Sequence, residues 1–204
     1  MTEIRLATRA DAAAIAAIYA PAVVDSAISF ELVPPAADEM YARVSAALAL
    51  TPWLVCLSGA EVLGYAYASK HRERAAYQWS VEVSAYVRTD CHRRGIGAAL
   101  YTSLLAVLRL QGFRNAYAGI TLPNPASVAL HAKLGFTRIG VFEKIGFKAG
   151  AWHDVLWLHR EIAPRDSSPE PPRPITAVLG DEDYRAALSE GERMVQSPDA
   201  HEVV

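Results

Sequence analysis

The run Val83-Ser-Ala-Tyr-Val-Arg-Thr-Asp-Cys-His-Arg-Arg-Gly-Ile-Gly-Ala-Ala-Leu100 constrains the fold most tightly. It reads as a strand, then a basic turn carrying Gly95 and Gly97, then an apolar helix. Arg88, His92, Arg93 and Arg94 gather positive charge where the first backbone amides of that helix begin. Those amides lack partners within the helix and attract anions, so the turn is expected to hold an anionic group.

The flanking segments set the architecture. Ile4 and Leu6 alternate with Arg5 as a short strand, and Thr8 with Asp11 marks a helix start before Ala12, Ile15, Ala16 and Tyr19. Pro34-Pro35 breaks the chain ahead of a second helix with Met40, Val44 and Leu48 on one face. Trp53 to Leu57 and Val62 to Ala68 predict a hairpin, and Ser80 to Arg88 a further strand. In that strand Val81, Val83, Ala85 and Val87 point one way and Glu82, Ser84, Tyr86 and Arg88 the other, provided no bulge intervenes.

After the turn, Ile96, Leu100, Leu104, Val107 and Leu108 form a helical stripe ending at Gln111-Gly112. Asn115 to Ile120 follows as a strand, Pro125 to Leu134 as a short helix closed by Gly135, and Thr137 to Phe142 and Asp154 to Ile162 as strands. Lys144 to Gly150 is expected to be a loop. The order, a meander and then βαβα, predicts a mixed α/β (α+β) fold. From Pro164 the composition turns proline-rich, with helix-forming residues only around Tyr184 to Met194. The domain is therefore expected to span residues 1–163, with a linker and acidic tail at 164–204.

A chain of 204 residues with 52% apolar and 21% charged residues fits one domain, and its net charge of -2 makes nucleic acid and anionic membrane unexpected partners. The basic cluster is thus a local feature calling for a local ligand. Cys56 and Cys91 make neither a disulfide framework nor a metal site, so no metal is expected. With no apolar run of bilayer length and no signal-like start, a cytoplasmic location is expected.

Which anion the turn holds is partly decided by exclusion. The dinucleotide fingerprint requires a third glycine where Leu100 stands, and the phosphate loop of nucleotide triphosphatases requires Lys-Ser or Lys-Thr where Ala98-Ala99 stand. What remains is Arg93-Arg-Gly-Ile-Gly-Ala98, whose glycines let amides approach a pyrophosphate, or make only a tight strand-to-helix connection.

Joined to Leu122-Pro-Asn-Pro-Ala-Ser-Val-Ala-Leu-His-Ala-Lys-Leu-Gly-Phe136, the turn resembles that of the GNAT superfamily of acetyl-CoA-dependent N-acetyltransferases. Pro52-Trp-Leu-Val55, Gly64-Tyr-Ala-Tyr-Ala68, Arg74-Ala-Ala-Tyr77, Gln111-Gly-Phe113 and Gly146-Phe-Lys-Ala-Gly-Ala-Trp-His-Asp154 resemble, more narrowly, the phosphinothricin and methionine sulfoximine N-acetyltransferases. The resemblance covers about Ile4 to Ile162 and implies a splayed mixed sheet flanked by helices, with acetyl-CoA as co-substrate. It implies that the cofactor lies between strands Ser80–Arg88 and Asn115–Ile120, against Ala85, Tyr86 and Val87. Arg93, Arg94, Gly95, Ile96, Gly97 and Ala98 would bind its phosphates, and Asn124 and Ser127 would touch it from the next helix. His92 departs from the family pattern, which has glutamine or arginine there.

For the chemistry, the residues alone leave readings open. Glu82 is either a solvent-facing or salt-bridged strand residue or a half-buried carboxylate able to take an ammonium proton. His131 is either a packed core histidine or a catalyst. The resemblance favours Glu82 as general base, and His131 near the cofactor sulfur as general acid or positioning group. It also puts Arg72, Arg74 and Tyr77 on one side of an amino-acid pocket and Phe30 and Glu31 on the other. The expected activity is direct acetyl transfer to the α-amine of a small amino acid analogue by a homodimer. Acetylation of a protein N-terminus or polyamine, or a non-catalytic acyl-CoA sensor, are the alternatives.

Overall fold

The computed structural model describes residues 2–195. Strands β1 (Thr2–Leu6), β2 (Trp53–Ser58), β3 (Glu61–Lys70), β4 (Ser80–Val87), β5 (Asn115–Thr121), β6 (Thr137–Lys148) and β7 (Ala151–Glu161) alternate with helices α1 (Ala12–Val24), α2 (Ala37–Leu48), α3 (Ile96–Gln111), α4 (Pro125–Lys133) and α5 (Glu182–Glu192). The strands make one sheet ordered β1-β2-β3-β4-β5-β7-β6, in which only β4 and β5 pair in parallel. Among the described residues no helix is long and apolar enough to cross a membrane.

Period-two alternation decides what each face buries, except at Leu63, where a bulge shifts the β2–β3 register between Cys56 and Leu57 and resets the alternation in β3. Leu54, Cys56, Leu63, Ala66, Ala68, Val81 and Val83 pack beneath α3, while Val55, Leu57, Val62 and Tyr65 pack beneath α1 and α2. The β3–β4 register runs without a shift from Gly64–Val87 to Lys70–Val81, so Glu82, Ser84 and Tyr86 share the α1/α2 face as expected. Asp11 starts α1 by accepting from the Thr8 amide at 2.7 Å while Arg5 grips its carboxylate at 2.8 and 2.9 Å. Gly95 and Gly112, at φ 80° and 96°, occupy the left-handed positions at the two ends of α3, where a side chain is strained.

Two expectations change. Lys144 to Gly150 is not a loop: β6 continues to Lys148 and turns only at Ala149–Gly150. A register shift between Phe142 and Gly146, with Lys144 at φ 48° and its amide donating to Asp154 Oδ1 at 2.8 Å, breaks the alternation that would have marked a strand. Lys148, buried at the end of β6, donates from Nζ to the carbonyls of Val23 and Ser29, both at 2.6 Å.

The segment expected to stand apart from the domain packs on it. Ile175, Val178, Ala187 and Leu188 belong to the buried cluster around α3, and Ser103 Oγ donates to the Leu188 carbonyl at 2.8 Å. A fully buried aliphatic side chain contributes about 1.5–3 kcal/mol, so these residues fasten the segment despite its proline-rich approach. The boundary at residue 163 marks a change of composition, not of packing; residues 196–204 lie outside the described part.

Candidate active site

β4 and β5 pair only through Ser80–Asn115, Val81–Ala116 and Glu82–Tyr117. Beyond Glu82, β4 runs on to Val87 along β3, and β5 runs on to Thr121 along β7. The facing edges, 83–87 and 118–121, have no strand partner among the described residues and bound a V-shaped cleft. An extended ligand with amides of its own satisfies such an edge as an added strand does. Ala85, Tyr86 and Val87 lie along it, and Glu82 stands at its apex.

At the mouth of the cleft the turn leads into α3. Arg93 has φ 63° and is exposed, Gly95 follows in the left-handed region, and the first helical bond is from the Ala99 amide to the Gly95 carbonyl at 2.9 Å. The amides of Gly95 to Ala98 precede that ladder and are available to an anion. Ile96 and Ala98 are buried, so their contribution is through backbone alone. A Cβ on Gly97 would meet Leu130 Cδ2 at 3.2 Å and narrow the passage between α3 and α4. These open amides, the two left-handed residues and the free strand edges together fit a long ligand with a phosphate end and an amide-bearing arm.

Not all of the basic cluster faces that ligand. Arg88 is paired with Asp90 at 2.7 Å and with Glu61 at 3.3 Å. His92 donates from Nε2 to the Val87 carbonyl at 3.0 Å, fastening the turn to the end of β4. Arg93 and Arg94 remain as the cations of the turn, Arg94 resting 3.6 Å from Cys91 Sγ.

Glu82 is half-buried and its Oε1 accepts from His71 Nδ1 at 3.0 Å and from Arg72 Nη1 at 3.4 Å. The His71 ring stacks on Tyr117 at 4.5 Å between centroids and presents edges to Tyr77 and Trp157. Reading the residues alone does not single out His71. A signal existed: in the β3–β4 hairpin Ser69 pairs with Glu82, so the residue two further on is its diagonal neighbour on the same face.

His131 lies on the other side of the sheet, against Tyr101 of α3 and Phe136. It is 3% exposed, donates from Nδ1 to the Ser127 carbonyl at 2.8 Å and accepts at Nε2 from the Tyr101 hydroxyl at 3.1 Å. Burial lowers its pKa, against the opposing effect of the Ser127 carbonyl. Asn124 caps α4, its Oδ1 accepting from the Ser127 amide at 3.1 Å.

The remaining candidates divide. Glu31 is held by both guanidinium nitrogens of Arg43 at 2.7 and 3.0 Å and by the Tyr19 hydroxyl at 2.9 Å. Arg43 keeps its carboxyl below the usual range, while burial pushes the Tyr19 phenol up to about 12. Glu31 therefore ties its loop to α1 and α2. Phe30 lies over Gly146, in the space a Cβ would fill. Arg72 and Arg74 differ in their contacts: Arg72 turns onto Glu82, and Arg74 stands exposed at the start of a short 3-10 turn, Ala75–Tyr77. Tyr77 is exposed beside His71. Among the described residues no group of three or more His, Cys, Asp or Glu is gathered to hold a metal ion.

A sheet split at an internal carboxylate, with an amide-rich helix start at the mouth of the split, is the architecture of an acyl-thioester transferase. The chain belongs to the GNAT acetyltransferases: residues 4–157 match the family described as an acetyltransferase (GNAT) domain. It is an acetyl-CoA-dependent acyltransferase. Within the family it is similar to the phosphinothricin N-acetyltransferase of Streptomyces viridochromogenes, 39% identical over 86% of this chain and 94% of that one. It is also similar to the L-methionine sulfoximine/L-methionine sulfone acetyltransferase of Pseudomonas paraeruginosa, 37% identical over 58% of this chain and 69% of that one. The solved structure of a phosphinothricin acetyltransferase from Sinorhizobium meliloti in complex with acetyl-CoA superposes with a TM-score of 0.78, at 35% identity, covering 83% of this chain and 92% of that one.

Proposed function

We propose that the protein acetylates the α-amine of a small amino acid analogue of the phosphinothricin, methionine sulfoximine or methionine sulfone type, by direct transfer with Glu82 as general base. The observation that carries this reading is the position of Glu82 at the apex of the β4–β5 cleft, with Oε1 fastened and its side chain on the face opposite α3. The α3/α4 side, with its helix amides, Arg93 and Arg94, takes the cofactor. The α1/α2 side takes the amine, and the two meet only where the strands part.

Acetyl-CoA supplies the acyl thioester when bound. Amides of Gly95 to Ala98 hold its phosphates, and the free edge of Ala85, Tyr86 and Val87 aligns its arm. Asn124 and Ser127 shape the start of α4 beside it. On the substrate side Glu82 removes the ammonium proton, so that the amine's lone pair faces the acyl carbon. Arg74 and Tyr77 edge the entrance, and Phe30 forms the opposite wall over Gly146. Of the two roles open to His131, positioning is supported: its ring nitrogens are occupied by Ser127 and Tyr101, so it holds α4 against α3 beside the cleft.

A cytoplasmic location is supported by Cys56 and Cys91, both free and buried, and pairing with a second copy by exposed Ile139, Phe142, Ile145, Phe147 and Trp152 on the β6–β7 hairpin. The deciding experiment incubates purified protein with acetyl-CoA and a panel of amino acids, their phosphinate, sulfone and sulfoximine analogues, polyamines and N-terminal peptides. Thiol release is expected with the analogues. Turnover confined to polyamines or peptides would reject the substrate class, and binding without turnover would make the chain an acyl-CoA sensor.

A further inference from the structure

We infer that His71 is the positioning residue of the base: it fastens one oxygen of Glu82 so that the other is presented to the amine. This rests on the reading of Glu82 as general base. A carboxylate only accepts, so His71 Nδ1, at 3.0 Å from Oε1, carries the proton of that hydrogen bond. Arg72 Nη1 approaches the same oxygen at 3.4 Å while donating to the His71 carbonyl at 2.9 Å. Among the described residues both donors converge on Oε1, and Oε2 accepts from none.

The imidazole is itself held. Its ring is sandwiched onto Tyr117, 4.5 Å away and 17° from parallel, with Tyr77 and Trp157 edge-on at 5.9 and 6.3 Å. Tyr117 is the β5 partner of Glu82 at the last paired position before the cleft. The clamp therefore spans the two strands at the point where they part. A carboxylate on a strand has rotamers leading out to solvent as well as toward the cleft, and a fixed N–H on one oxygen selects among them. Arg72, which the family resemblance puts at the amino-acid pocket, belongs by its contacts to the same device.

Two measurements on the full-length protein test this. Histidine nitrogen NMR at about pH 8, with His71 assigned by its loss in His71→Asn, should show the Nδ1–H tautomer for the neutral ring. The Nε2–H tautomer overturns the inference. Steady-state kinetics with acetyl-CoA and phosphinothricin should show kcat falling about ten- to hundredfold in His71→Phe, which keeps a stacking ring but no donor, with the acetyl-CoA KM unaltered. His71→Asn, whose amide reaches the place of Nδ1, should stay within about threefold of the parent, and in a Glu82→Gln background His71→Phe should add nothing further. Equal losses for Asn and Phe, or an undiminished loss in the Glu82→Gln background, overturn the assignment. If Glu82→Gln lowers kcat and His71→Phe does not, the base stands and His71 alone is rejected; if Glu82→Gln has no effect, both fall.

Discussion

Glu192 Oε1 accepts a hydrogen bond from the Ile4 amide at 2.9 Å, joining the last helix to the first strand across 188 residues. One residue earlier, Gly191 lies so close to the Ala99 carbonyl and Ser103 Oγ that no side chain fits between α5 and α3. Just past the helix the chain also approaches the glycine turn before α3, with the Met194 carbonyl 3.0 Å from where a Cβ on Gly95 would be. Gly191→Leu should therefore separate α5 from α3 and lower stability by about 1–3 kcal/mol, seen as a drop in thermal midpoint of several degrees. An unchanged midpoint would show that α5 adds nothing to the core.

Glu82→Gln keeps the shape and loses the proton acceptor, so kcat should fall about a hundredfold or more near neutral pH, with acetyl-CoA binding preserved. Raising the pH should partly restore the rate, because more of the substrate amine is then already neutral. A pH–rate profile that superposes on that of the parent would place the base elsewhere.

A Cβ on Gly97 would meet Leu130 Cδ2 at 3.2 Å, and the Gly97 amide lies in the unpaired start of α3. Gly97→Val should abolish acetyl-CoA binding in calorimetry while the circular dichroism stays as it was. Undiminished binding would remove the turn from the cofactor site.

The two loop arginines should separate by kinetic signature. Arg74, exposed at the head of the 3-10 turn, should on removal raise the KM for a carboxylate-bearing amine by about ten- to hundredfold and spare a carboxylate-free one. Arg72, on Glu82 Oε1, should affect kcat for both amines alike. The same pattern from Arg72→Ala and Arg74→Ala would mean that they act on one group.

His131 gives a pH dependence of stability with a defined sign. Burial holds its native pKa below the ordinary 6.5, so the unfolded chain binds the proton more readily than the native one. The stability it contributes is complete above 6.5 and is lost as pH falls from there through the lowered native value, with a slope approaching about 1.4 kcal/mol per pH unit. Urea unfolding from pH 8 down to about pH 5 should fall less steeply for His131→Gln than for the parent. His159, also lowered by burial, titrates in both proteins and leaves the difference to His131. Parallel curves would show that His131 is not held neutral.

The sequence by itself determined what depends on neighbours along the chain. Gly95 and Gly112 marked the ends of α3 because those backbone angles disfavour any side chain, and the alternation from Val81 to Val87 set the face of Glu82 because a strand repeats every two residues. Only the tertiary structure decided what depends on distant partners. His71 meets Glu82 through the hairpin register, and Arg72 turns back onto the same carboxylate from a loop whose course the sequence does not fix. β6 carries through an irregularity that interrupts its period, with Lys148 beyond it anchored to the carbonyls of Val23 and Ser29. The proline-rich tail reads as a solvated linker because its composition is locally that of one, yet Ile175 and Val178 find the surface of α3. Backbone preference and period are local energies of a fraction to about one kcal/mol per residue, whereas burial and charge pairing act only once the chain has brought remote residues together.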